Sequence, residues 1–143
     1  MPHVAADLPG APGAYILIIR LDASLLLDVP AFRGKRLEPG LFAYCGSALG
    51  SGGIRARVSH HLRTEKLLRW HVDHVTAAGR VEHVGVAVGA NECDLADELL
   101  SRGGTTPLPG FGSSDCKRCR AHLIAVPDSL ILDVPGLTVF TTS

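Results

Sequence analysis

Two phenols, a guanidinium and an imidazole stand at spacings that suit phosphate-ester chemistry. Tyr15 and Tyr44 are the chain's only tyrosines, and each lies in a short apolar run that reads as a strand. Neighbouring strands that end on them would place two phenols over one point. Arg57 follows in a segment of helical periodicity and supplies a planar, multidentate donor matched to phosphate oxygens. His61 comes four residues later, on the same helix face, within reach of the same substrate. Cutting a phosphodiester needs an activated oxygen nucleophile, a cation on the developing charge and a proton for the leaving oxygen. A phenol, with a reference pKa of about 10, serves as a base near neutral pH only when a cation or metal perturbs it.

The elements that must position these groups follow from periodicity and punctuation. Residues 1–12 are rich in proline, glycine and alanine and are expected to form a loosely held arm, followed by a single domain over 13–143. The run from Gly13 to Leu21 is apolar at both parities, which predicts a central strand. Residues 24–30 predict an edge strand ended by Pro30, and Leu41 to Gly46 another strand. After the Gly50-Ser-Gly-Gly break, Ile54, Val58 and Leu62 form the buried stripe of a helix, with Arg57, His60 and His61 to one side. Thr64 is expected to cap a helix through Val75, ended by Gly79. A strand over 81–88, a helix from the N-cap Asn91 through Leu100, and strands near 122–126 and 130–134 complete the chain. The echo between Ser24-Leu-Leu-Leu-Asp-Val-Pro and Ser129-Leu-Ile-Leu-Asp-Val-Pro is read as two similar strand-and-turn pieces.

Composition is that of an ordinary globular protein: 46% apolar, 20% charged, with zero formal net charge. Overall electrostatics therefore predict no polyanion partner, but the charge is uneven. Arg55, Arg57, Arg63, Lys66, Arg69 and Arg80 face only Glu65 and Asp73 in that stretch, and a local basic patch can hold phosphates when the total cancels. No apolar run approaches the ~20 residues that span a bilayer. The N-terminus lacks a basic region leading into an apolar core, so a cytoplasmic location with no membrane partner and reduced thiols is expected.

The order of these features resembles the GIY-YIG nuclease superfamily. Gly13-Ala-Tyr15 stands where that family has Gly-Ile-Tyr, and Tyr44-Cys-Gly46 where it has Tyr-Ile-Gly. Ser47-Ala48 and Arg57-Val-Ser-His-His61 also match, the latter as the catalytic arginine with a histidine four residues on. Arg69-Trp-His-Val-Asp73, Glu92-Cys-Asp-Leu-Ala and Gly110-Phe-Gly-Ser-Ser-Asp-Cys116 leading to His122-Leu are similar to an uncharacterised branch of it. Members of that branch sometimes accompany a DNA glycosylase of the endonuclease III type. The resemblance implies an α/β (α+β) fold with a small, mostly antiparallel sheet flanked by helices. It further implies a metal-dependent nuclease acting on nucleic acid, DNA more than RNA, in DNA repair, with a repair protein as a potential partner.

On that resemblance Tyr15, Tyr44, Arg57 and His61 are the catalytic set, and Glu92 holds one Mg²⁺ or Mn²⁺ ion. A single carboxylate with several waters is a normal Mg²⁺ site. Asp97 and Glu98 on the same helix are alternatives to Glu92, Arg55 to Arg57, and His60 to His61. Gly46, Ser47, Arg55, His60, Lys117 and Arg118 are the expected substrate-binding residues. Two departures stand out: a long, glycine-rich spacer between Tyr44 and Arg57, and no asparagine after the last helix, where Ser114 or Asp115 stands nearby.

Cys116-Lys-Arg-Cys119 followed by His122 has half the spacing of a structural Zn²⁺ site, with Cys45, Cys93 or His71 as a fourth ligand. A redox disulfide is the alternative, and free thiols that help pack the loop are the favoured reading. His71 and His74, three apart, read as a core-edge and a solvated histidine, and Trp70 as a core anchor. Two competing functions remain open: a non-catalytic DNA-binding accessory module, and a zinc-stabilised interaction domain.

Overall fold

A strand that is apolar at both parities must be covered on both faces, and that requirement organises the molecule. In the computed structural model, residues 7–29, 32–63, 71–111 and 121–142 are described. The strands are β1 (Gly13–Leu21), β2 (Leu25–Leu26), β3 (Arg36–Leu37), β4 (Gly40–Ala48), β5 (Arg80–Val88), β6 (Leu123–Val126) and β7 (Thr138–Thr141). The helices are α1 (Gly53–Leu62), α2 (His71–Ala78) and α3 (Glu92–Ser101). One five-stranded sheet runs in the order β6-β4-β1-β5-β7, every pairing antiparallel, so β1 is central as its composition predicts. The fold is α+β, an antiparallel sheet flanked by helices.

The two faces of β1 bury different layers. Tyr15, Leu17, Ile19 and Leu21 pack with Ile54 and Val58 of α1 and Val72 and Val75 of α2. Ala14, Ile16 and Ile18 pack with Leu95, Ala96 and Leu99 of α3 and with Ile124 and Val126. Alternation of side chains along a strand makes this division automatic once helices sit on both sides. Among the described residues no helix is long and apolar enough to cross a membrane.

Four expectations are corrected. The proposed edge strand over 24–30 reduces to β2, which pairs only with β3 in a separate two-stranded sheet. Leu27 and Val29 turn into the core beside it instead of extending a ladder. The apolar run at 130–134 forms no strand; Leu130 and Leu132 pack against the α3-side core, and the β5 edge is taken by β7. The helix expected over 64–75 is described from His71 and continues to Ala78, while 64–70 lie outside the described residues. Finally, the buried stripe of α1 is Ile54, Val58 and His61, with Leu62 only partly buried, so a histidine takes the place expected for a leucine.

The described part of the N-terminal arm, from residue 7 on, is also less loose than its composition suggests. Leu8 is fully buried in the core. The carbonyls of Ala11 and Pro9 accept hydrogen bonds from the Ile54 and Arg55 amides at 3.0 and 2.9 Å, occupying donors that a helix start otherwise leaves orphaned. The arm thus closes the glycine-rich entry to α1, where Gly52 (φ 84°) adopts the left-handed conformation. Truncating Leu8 should therefore behave as a core deletion. Leu8→Ala is expected to lower unfolding stability by about 2–5 kcal/mol, read from the midpoint of a denaturant titration; a surface-like effect would show the arm to be dispensable.

Candidate active site

The register of β1 on β4 decides where the phenols meet. Tyr15 pairs with Gly46, and Leu17 with Tyr44, so Tyr15 and Tyr44 are diagonal neighbours on the face that α1 covers. Their ring centroids lie 6.3 Å apart. Gly46 is what permits this: a Cβ at that position would sit 2.4 Å from the Tyr15 ring and hydroxyl. Expected as a substrate-binding residue, Gly46 has here a packing role, as the floor on which the Tyr15 phenol rests.

His61 completes the cluster from α1. Its Nε2 lies 2.8 Å from the Tyr15 hydroxyl, and its ring centroid is 5.6 Å from Tyr15 and 6.2 Å from Tyr44. Its Nδ1 lies 2.9 Å from Oδ1 of Asp73 in α2, and the other oxygen of that carboxylate lies 3.1 Å from Nε2 of His60. Asp73 and His61 are almost wholly buried, whereas the His60 side chain keeps 20% of its surface. Expected together on the Arg57 side of α1, the two histidines part in the structure: His61 is buried in the core, and His60, partly exposed, reaches Asp73 from nearer the surface. Residue order does not single out Asp73: within Trp70-His71-Val-Asp73-His74 nothing local distinguishes it from any other helix carboxylate.

Both phenols are held in the neutral form. Burial raises Tyr15 well above the ordinary phenol pKa; the Tyr44 phenol adds to this, and Arg57 opposes it through its charge and a hydrogen bond. Tyr44 is pushed up to about 12, chiefly by burial, against the pull of Arg57 and with smaller contributions from Cys45, Asp73 and Glu92. Desolvation outweighs the guanidinium at both positions.

Arg57 links this buried cluster to the surface. With His60, Arg63 and the backbone around Gly50 and Gly53 it lines a cavity of about 400 Å³. A second cavity, of about 730 Å³, lies on the other side of the α1 C-terminus, where His61, Arg63, Arg80 and His83 are among its walls. Arg55, the alternative arginine, is exposed and donates from Nε to the Leu8 carbonyl at 2.8 Å, which ties it to the N-terminal arm.

The acidic helix meets the site from the opposite face of the sheet. Asn91 caps α3 as expected, its Oδ1 accepting from the Cys93 amide at 2.7 Å. Glu92 opens the helix beside Cys45 and Tyr44, close enough for its charge to raise both. Ser47 pairs with Ala14 and so shares the Cys45 face with α3. Ligand atoms of Glu92, Cys93 and His122 all lie within 4.8 Å of one another. Glu98, by contrast, pairs with Arg102 at 2.8 Å near the far end of the helix, and Asp97 is exposed. Of the three acidic candidates only Glu92 acts on a phenol, raising Tyr44 by its charge.

His122, expected as a zinc ligand and as part of the motif that follows Gly110, stands edge-on to Tyr44 with centroids 6.5 Å apart. Its backbone is pinned on both sides, its carbonyl accepting from the Cys45 amide and its amide donating to the Phe111 carbonyl, each at 2.9 Å. Buried Cys45 is free, and burial raises its thiol above the ordinary range. Cys93 is disulfide-bonded, contrary to the expectation of reduced thiols; its sulfur lies 3.9 Å from His122 Nε2 in the buried wall of α3. With Cys93 in a disulfide, the potential ligands left in this group are the Glu92 carboxylate and the His122 imidazole. Ser114, Asp115, Cys116, Lys117, Arg118, Cys119 and Trp70 lie outside the described residues.

The family described as "Domain of unknown function DUF123" matches the chain over residues 14–135. No curated protein and no solved structure matches it.

Two measurements follow from the packing of the phenols. Gly46→Ala forces a methyl group into the Tyr15 ring and should cost about 1–3 kcal/mol of stability, whereas Gly50→Ala, with open space around it, should change stability by no more than about 0.5 kcal/mol. Above neutral pH the Tyr44 phenol loses its proton near the ordinary value of 10.0 when unfolded but only at about 12 when folded. Stability that is full below the lower value should decline as pH rises through that window, and Tyr44→Phe should flatten this decline in denaturant midpoints recorded against pH.

Proposed function

The chain belongs to the DUF123 family, and we propose that it is a GIY-YIG-type, metal-dependent nuclease that hydrolyses phosphodiester bonds, in DNA rather than RNA. The observation that carries this reading is the convergence of Tyr15, Tyr44 and His61, with ring centroids 5.6–6.3 Å apart, beside a cavity that Arg57 lines. A phosphate in that cavity lies against Arg57, whose fork matches two of its oxygens. The charge of Arg57 also acts on Tyr15, so the guanidinium that lines the cavity is coupled electrostatically to the buried phenol.

Neither phenol ionises readily, so the base must be found elsewhere. His61 Nε2, 2.8 Å from the Tyr15 hydroxyl, takes that role. An attacking water gives its proton to the Tyr15 oxygen as the Tyr15 proton moves to His61, and the imidazolium is the proton store for the leaving oxygen. Tyr44 positions the phosphate. Glu92 would hold the divalent ion, which when bound polarises a phosphoryl oxygen and stabilises charge on the leaving one. A place in DNA repair rests on the resemblance to glycosylase-associated members. The complete burial of Tyr15 favours a second reading, a DNA-binding accessory module that cuts nothing.

Incubation with single-stranded and branched DNA in Mg²⁺ or Mn²⁺ separates the two. The nuclease reading expects cleavage that falls by about 10²–10³-fold in Arg57→Ala, and that is also lost in Tyr15→Phe and Glu92→Ala. Unaltered cutting by all three would assign the activity to another site or a contaminant. Tight binding without cleavage would establish the accessory module.

A further inference from the structure

Asp73 places an ionisable group where no water can reach it, with a relative exposure of 0%. A buried carboxylate is stable only when its lone pairs are met by donors. Here both oxygens are met by adjacent histidines of α1, Oδ1 by His61 Nδ1 at 2.9 Å and Oδ2 by His60 Nε2 at 3.1 Å. An ionised carboxylate can only accept, and such a carboxylate at Asp73 requires the His61 proton on Nδ1. A neutral imidazole protonated there has a bare Nε2, which is the atom facing the Tyr15 hydroxyl at 2.8 Å. One line of close polar contacts thus runs from Asp73 in α2 through His61 in α1 to Tyr15 in β1.

We propose that Asp73 is a positioning residue of the phosphodiesterase site, which locks His61 in the Nδ1–H tautomer so that Nε2 accepts the Tyr15 proton. The proposal rests on the nuclease reading. In the step itself the Tyr15 O–H bond breaks as the His61 Nε2–H bond forms, and the Tyr15 oxygen is reprotonated by the attacking water. Asp73 stays unprotonated throughout and stabilises the transient imidazolium. The logic is that of an acid–histidine pair serving a hydroxyl, with a phenol in the hydroxyl's place. His60 holds the second oxygen, which prevents the carboxylate from rotating away from His61.

Imidazole nitrogen and proton resonances of the intact protein test the first half without any activity. The expected result is a His61 ring protonated at Nδ1, with a strongly deshielded proton on that nitrogen; a ring protonated at Nε2 alone would overturn the proposal. Asp73→Asn is expected to shift His61 toward the Nε2–H tautomer and to lower kcat by about 10²-fold or more, with KM for the oligonucleotide unchanged. Asp73→Glu should recover part of kcat. Loss of activity with the His61 tautomer unaltered would make Asp73 merely structural, as would unchanged kcat in Asp73→Asn. If that variant fails to fold, the resonances of the unmodified protein still decide the tautomer, and Asp73→Glu carries the kinetic arm. A native protein that binds DNA without cutting it would instead sink the nuclease reading, and the catalytic role of Asp73 with it, whatever the tautomer.

Discussion

An ionised side chain without solvent has to be answered by donors, and the answer to Asp73 shapes the middle of this molecule. Both of its oxygens are occupied by imidazoles from the neighbouring helix, which sets how α2 docks on α1. The same demand explains why a histidine occupies an apolar stripe. His61 would be an expensive guest beside Ile54 and Val58 were its two nitrogens not already engaged, one by Asp73 and the other by Tyr15. Remove the carboxylate and the imidazole loses its reason to point inward, and the phenol loses its partner.

The sheet supplies the second constraint. Because β1 and β4 pair with Tyr15 opposite Gly46, the phenols fall on the α1 face while Cys45 and Ser47 fall on the α3 face. Chemistry drawn from both faces can meet only at the rim. His122 stands there, its backbone locked to Cys45 and Phe111 and its ring against Tyr44, next to Glu92 and Cys93. Gly46 serves the arrangement by what it lacks, since any larger residue would occupy the volume of the Tyr15 ring.

Competing electrostatic effects then determine what the groups can do. Arg57 draws both phenols toward ionisation, but desolvation is the larger effect at each, so both remain proton-bearing near neutral pH. A phenol in that state is a relay or a donor, and the acceptor must be the imidazole behind it. The cavity lined by Arg57, His60 and Arg63 gives the buried line an outlet to solvent. The first amides of α1 contribute little there, because Ala11 and Pro9 already accept hydrogen bonds from them.

Much of this was legible in residue order. Double-sided apolarity marked β1 as central, Asn91 marked the start of α3, and the spacing of Tyr15, Tyr44, Arg57 and His61 named most of the cluster, since strand and helix periods act over a few residues and are written locally. The same locality explains the misreadings. Whether residues 130–134 join a ladder depends on a distant edge that Thr138–Thr141 occupies instead. Whether Leu8 is loose depends on a helix some forty-five residues away, and whether Asp73 is a solvated carboxylate or the anchor of two histidines depends on how α2 packs. Residue order alone thus decided which groups exist and which element carries each one. Burial, partner and proton direction were decided only by folding, because desolvation and hydrogen bonding belong to pairs of groups that the chain brings together from afar.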